Sequence, residues 1–145
     1  MNTRNQVTSR SRSGSFSGTI TGNVSTGLFS SREVGSAQYH HSATNRVTTV
    51  SSLTNTSGAT GAHVAGVGTG LMTAVEALAA RSGATKVQTS NTAPTAQPFY
   101  ERVGYTPEMN QYENARNALA PSFVGDPVGL HATSKRMTAT WEKPI

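Results

Sequence analysis

The sequence predicts an α/β chain, and three features carry that expectation. Leu71, Val75 and Leu78, with Ala74 and Ala79 beside them, recur at helical spacing. A short strand-like run at residues 86–90 follows that helix. Thr-, Val- and Ser-rich stretches bounded by Gly or Asn fill residues 18–57, the composition of pleated strands.

Taken in order, residues 1–17 read as a basic Ser/Arg-rich arm, and residues 18–145 as one domain, since 145 residues suffice for one core and are too few for two ordinary ones. Strands are expected at 18–21, 34–44 and 46–53. The periodic helix should stop where Gly83 follows Arg81-Ser82, because glycine takes the left-handed turn that ends helices. A short helix is expected over 95–103, with Pro94 and Pro98 confined to its beginning. Thr106-Pro107-Glu108 reads as another helix start. Met109, Tyr112, Ala115 or Arg116, and Leu119 then share a face until Pro121. Finally, Met137, Ala139 and Trp141 alternate with Arg136, Thr138, Thr140 and Glu142, as in a half-buried strand.

Composition narrows the chemistry. Cysteine is absent, which removes disulfides, thiolate metal ligands and a cysteine nucleophile. His40, His41, His63 and His131 form no H-x-x-x-H pair, and the seven acids are scattered, so no metal site is expected. No apolar run reaches the ~18–20 residues of a membrane span, and the Arg-bearing start lacks the apolar stretch of a signal peptide. The expectation is therefore a soluble protein, cytoplasmic where synthesised, without a membrane partner. The sequons at Asn23 and Asn55 then read as chance matches.

Charge is unevenly placed. Arg4, Arg10, Arg12 and Arg32 are the only charged side chains of residues 1–32, whereas the rest carries eight bases against seven acids. Such a basic head suits an acidic protein surface or a nucleic-acid backbone. A solvated tail is the plainer reading. Nucleic acid is the weaker partner here, because aromatics are 6% of the chain and the net charge is only +5.

The chemistry-bearing stretch runs from Gly66 to Tyr105. Gly66, Gly68 and Gly70 open the predicted helix, where backbone N–H groups without an intervening Cβ can meet a phosphate. A dinucleotide fingerprint fails at Leu71, and a P-loop fails for want of Gly-Lys-Ser/Thr. In the second half stand Asn91, Ala93 and Ala96, then Phe99-Tyr100-Glu101-Arg102-Val103-Gly104-Tyr105. Together, over about residues 46–105, these resemble the core of the GCN5-related N-acetyltransferase (GNAT) family.

That resemblance implies a mixed central sheet flanked by helices and transfer of an acetyl group from acetyl-coenzyme A, as co-substrate, to an unidentified amine. It places Leu53, Ala65, Gly66, Val67, Gly68, Thr69 and Gly70 at the cofactor, with the backbone of 66–70 around the pyrophosphate. Asn91 would meet the pantetheine arm or cap a helix. Tyr100 stands where many members keep the phenol that protonates the departing thiolate. It reads equally as an aromatic packed on the sheet.

Departures from the family's pattern are specific. Ala65 replaces a Gln or Arg ahead of the glycines, and a polar loop, TNTSGATGAHVA, precedes them. The strand Val50-Ser51-Ser52-Leu53 lacks the glutamate often used as base, and Glu33, His40, His41 and His63 are only its nearest substitutes in sequence. Residues 1–40 show none of the family's first two helices. The alternative reading is a non-catalytic GNAT-fold structural protein, held in a larger assembly such as a virion by other subunits that grip residues 1–32.

Overall fold

The computed structural model describes residues 1–60 and 64–145, with the backbone alone for Ala59 and Thr60. The chain divides into two compact units, one of residues 1–87 with 144–145 and one of residues 88–143. The sequence had suggested an arm followed by one domain.

The first unit is built on four antiparallel strands, β1 (Asn2–Arg10), β2 (Phe16–Ser25), β3 (Ser31–Ser42) and β4 (Val47–Asn55), paired in that order. β1 corrects the expected arm: Asn2 lies opposite Asn23, Arg4 opposite Thr21 and Gln6 opposite Thr19. Its residues show no apolar alternation because they are exposed apart from half-buried Val7. The strand therefore rests on main-chain pairing rather than burial of a face. The expected strand at 18–21 falls within β2, and those at 34–44 and 46–53 overlap β3 and β4, overrunning the first by two residues and starting one ahead of the second.

One face of this sheet is apolar at its centre. Ile20, Ala37, Tyr39 and Val50 are buried, and helix α2 (Val67–Arg81) contributes buried Val67, Leu71, Met72, Val75, Leu78 and Ala79. That stripe is the predicted period of the helix, one face repeating every three or four residues. Gly35 on β3 sets how closely the helix seats, since a Cβ there would fall 2.7 Å from Val67 Cγ1 and 3.1 Å from Leu71 Cδ1. The end of α2 is as expected: Gly83 has φ 82°, Gly83 N–H donates to Ala80 O, and Ala84 N–H donates to Ala79 O, the Schellman pattern. β5 (Lys86–Thr89) follows, and the boundary between the units falls within it.

In the second unit a 3-10 turn, Pro94–Ala96, leads into α3 (Gln97–Arg102), with proline in the first turn of each. β6 (Thr106–Pro107) pairs antiparallel with β7 (Trp141–Pro144), Pro107 opposite fully buried Trp141. Of the expected helix start at Thr106-Pro107-Glu108, only Glu108 serves α4 (Met109–Leu119), its carboxylate accepting from Asn110 N and Gln111 N, while Thr106 and Pro107 are the strand β6. Beyond it the expectation fails. Residues Pro127–Arg136 form α5, capped by Asp126, whose carboxylate accepts from Gly129 N. The expected strand is met only from Trp141, fully buried at the start of β7, whereas before it Met137 is 60% exposed and Thr138 fully buried.

Candidate functional site

In the first unit the polar loop ahead of the glycines is folded by its own side chains. Asn55 Oδ1 accepts from Ser57 N at 3.1 Å and from Ser57 Oγ at 2.9 Å, an Asx-type turn. A short helix, α1 (Ser57–Thr60), starts there. Fully buried Ser57 then accepts from Val64 N at 3.2 Å, and Arg32 Nη1 donates to Ser57 O at 2.9 Å. These contacts fix where the chain enters the glycine turn. Local sequence pattern does not mark Arg32 for this task, whereas Asn55-x-Ser57 inside a polar loop is a turn signal that could have been read.

Gly66 is the N-cap of α2, in the left-handed region at φ 76°. A side chain there would be strained. The helix has no side-chain cap and no acid in its first turn. Its leading N–H groups thus face outward with the positive end of the helix dipole behind them. Gly70 N–H is already engaged, donating to Gly66 O at 2.9 Å. Ala65, Gly66 and Thr69 are exposed and Gly68 is half-buried, whereas Val67 is buried and points its side chain into the core. At Val67 only the backbone is left for a ligand. Leu53, half-buried on β4, lies opposite Ala37. The residues from Ala65 to Gly70 thus run through the left-handed Gly66 into the first turn of α2, with Thr69 the one hydroxyl-bearing side chain among them.

In the second unit Asn91 is exposed and adopts φ 52°, a left-handed conformation asparagine tolerates better than most residues. It caps neither helix that follows, since neither the 3-10 turn nor α3 has a side-chain cap. That corrects one of its two expected uses. Tyr100 is 6% exposed, its ring edge-on to Phe99 at 5.1 Å and to Tyr105 at 5.7 Å. Burial raises its pKa above the ordinary tyrosine value. No polar side-chain atom among the described residues is sealed without a partner. Among the described residues no hydrogen bond engages the Tyr100 hydroxyl, so that oxygen is not sealed from solvent. Packing and an available phenol coexist at this position.

Of the substitute bases, Glu33 and His40 are exposed and His41 is buried, with Nδ1 3.0 Å from Thr48 Oγ1. His63 lies outside the described residues. Among the described residues no group of three or more metal-ligating side chains comes together, and no helix is long and apolar enough to cross a membrane.

Comparison with known proteins points one way. Residues 59–120 match the family model described as "Acetyltransferase (GNAT) domain". No curated protein matches the sequence. Among solved structures, a nourseothricin acetyltransferase is 26% identical with a TM-score of 0.51, covering 63% of this chain and 51% of that one. Tetrahymena GCN5 is 17% identical with a TM-score of 0.51, covering 63% and 52%. Mycobacterium tuberculosis Rv2747, solved in complex with CoA and NLQ, is 12% identical with a TM-score of 0.52, covering 88% and 75%. This chain spans about half the length of the first two. The α/β, GNAT-like fold expected from the sequence is borne out.

Proposed function

We propose that this chain, whose residues 59–120 match the GNAT acetyltransferase domain model, transfers the acetyl group of acetyl-coenzyme A to the nitrogen of an amine. The observation that carries the reading is the start of α2: a left-handed glycine, no side-chain cap and no acid in the first turn. That combination favours a pyrophosphate over other guests, because it offers aligned N–H donors and nothing that repels an anion. Acetyl-coenzyme A is also the co-substrate that fits the relatives, one of them bound to CoA. The backbone of residues 66–70 would hold and orient it, and Asn91 would meet its pantetheine arm.

Tyr100 has the character of an acid kept in reserve. Its raised pKa keeps the phenol protonated through neutral pH, and no hydrogen bond among the described residues engages its hydroxyl. A departing thiolate needs such a proton, and a positioned acid contributes typically ~10²–10⁴-fold in rate. The alternative, a non-catalytic scaffold held by other subunits through residues 1–32, would have to use a segment whose residues 2–10 are paired in the sheet.

The test is calorimetry of acetyl-coenzyme A on the full chain and on a Gly68→Glu variant. The wild type should bind saturably and the variant at least ~10-fold more weakly, a difference of about 1.4 kcal/mol. A folded wild type that does not bind ends the enzyme reading. Tyr100→Phe should leave binding intact and lower kcat by about 10²-fold or more. Unchanged kcat would leave Tyr100 as packing alone.

A further inference from the structure

Strand β1 ends the strand order, with β2 as its neighbour on one side. Its outer side therefore presents a row of backbone N–H and C=O groups to whatever comes beside it. Such edges are commonly blunted by short length, proline, lysine or bulges. β1 has nine residues, with neither proline nor lysine, and its register shift falls between Val7 and Ser9. Residues 2–7 thus form an uninterrupted edge. Directly opposed residues of an antiparallel pair project to the same side. Thr3 lies opposite Gly22 and Asn5 opposite buried Ile20, which places both on the side covered by α2. Arg4, opposite Thr21, projects to the other side.

Between this edge and α2 the surface is recessed. A groove of about 230 Å³ is lined by Thr3 and Asn5 from the strand, by Ala74, Ala77 and Arg81 from the helix, and by buried Ile20 and Leu78. The helical residues form one stripe, and the single methyls at 74 and 77 leave the recess open. Tyr39 Oη donates to Asn5 Oδ1 at 2.7 Å, which fixes the strand wall. At Gly70, one turn before Ala74, the methyl of Met1 fills the place of the missing side chain. The recess is smaller than the ~300–1,000 Å³ of a small-molecule site, so it suits side chains delivered by a polypeptide. A free strand edge running beside an apolar recess is the geometry of strand addition: main-chain hydrogen bonds supply affinity, and the recess selects alternate side chains.

Charge selects the occupant. Arg4 and Arg10 are the charged side chains of β1, Arg81 is the charged side chain of the groove, and no carboxylate lines it. A second copy added antiparallel over residues 2–7 would set the two Arg4 side chains against each other near the two-fold axis, in a chain of net charge +5. Like charges so placed destabilise the pairing, whereas an acidic strand turns the same arginines into partners. We propose that an extended acidic peptide of another protein adds as a strand to the outer edge of β1. Its apolar side chains alternate into the groove beside α2, and the acidic ones between them lie on the face of Arg4. Arg10 and Arg81 add to the same attractive field. This interaction does not depend on acetyl transfer, and a chain that binds no acetyl-coenzyme A would leave it standing.

The test is calorimetry of the full chain with an end-capped heptapeptide of alternating glutamate and valine. Binding should be saturable and should weaken as salt rises. Replacing the glutamates by lysine, or the valines by serine, should each weaken it at least ~10-fold. A strand turns alternate N–H groups toward its neighbour, so N-methylating one alternate set of the peptide should abolish binding and N-methylating the other should leave it unchanged. Arg4→Glu should weaken the glutamate peptide ~10-fold and strengthen the lysine peptide. Ala77→Phe, at an exposed position, should fill the groove and weaken binding ~10-fold, with an unchanged Tm showing that the fold persists. The proposal is overturned by absence of binding, by equal responses to the two N-methylated peptides, or by full affinity in Ala77→Phe. A dimer of the chain in sedimentation that Ala77→Phe dissociates also overturns it, and assigns the edge to a second copy.

Discussion

Helices α2 and α4 are held by opposite means. α2 buries six side chains and has no side-chain cap, whereas α4 buries none and begins on a carboxylate that accepts two backbone N–H groups. Packing secures α2 along its length, so its N-terminus can stay unsatisfied and available. A helix without a buried face has no such latitude, and α4 spends its capping residue on itself. An anion site at a helix start thus needs the stability supplied elsewhere along the same helix.

This contrast can be broken most strongly at Leu71, which is fully buried. Leu71→Ala should cost about 2–5 kcal/mol, read by urea denaturation, whereas the same truncation at half-buried Leu119 should cost less. Equal losses would mean that α4 is also held by packing. A smaller effect is expected at Glu108: Glu108→Ala removes the cap of α4 at about 1 kcal/mol. Amide exchange should quicken at Asn110 and Gln111 and stay unchanged in α2.

The smallest effect concerns the C-terminal end of α2. Burial lowers the pKa of His41, nearby His40 lowers it further, and a hydrogen bond involving the Ser82 backbone partly opposes both. A depressed value means that the unfolded state binds the proton more tightly. The contribution of His41 is thus present above pH ~6.5 and lost as pH falls through its lower folded value. The Tm of the wild type should drop on acidification through that window more than that of His41→Gln. Parallel curves would remove His41 from the acid response.

What was legible in the sequence follows the same division. α2 could be read because its apolar period, its opening glycines and Gly83 all agree. The strand at β1 could not, since Arg, Ser, Thr and Asn in a two-faced exposed strand leave no alternation to detect. The Asp126-Pro127 signal for α5 was present, a cap followed by a first-turn proline, but alternating residues just beyond it suggested a strand instead. Burial of Thr138 through its hydrogen bond to Ser134 O at 2.9 Å belongs to the helix end and not to a pleat. The glycine turn of the candidate site was read from local sequence. The groove between β1 and α2 was not, because it brings Thr3, Ile20 and Leu78 together from three separate elements.

The methionine at position 1 offers a spectroscopic consequence. Its thioether occupies the space that missing side chains leave at Gly22 and Gly70, with Sδ 2.6 Å from where a Gly22 Cβ would stand and its methyl against Gly70. Met72 is buried in the core, while Met109 and Met137 are 59% and 60% exposed. A carbon-13 label on the four methionine methyls therefore yields a native reporter. The Met1 resonance senses the first turn of α2, Met72 the core beneath it, and Met109 and Met137 serve as internal references. Occupancy of the glycine turn can then be followed without a tag, a fluorophore or turnover.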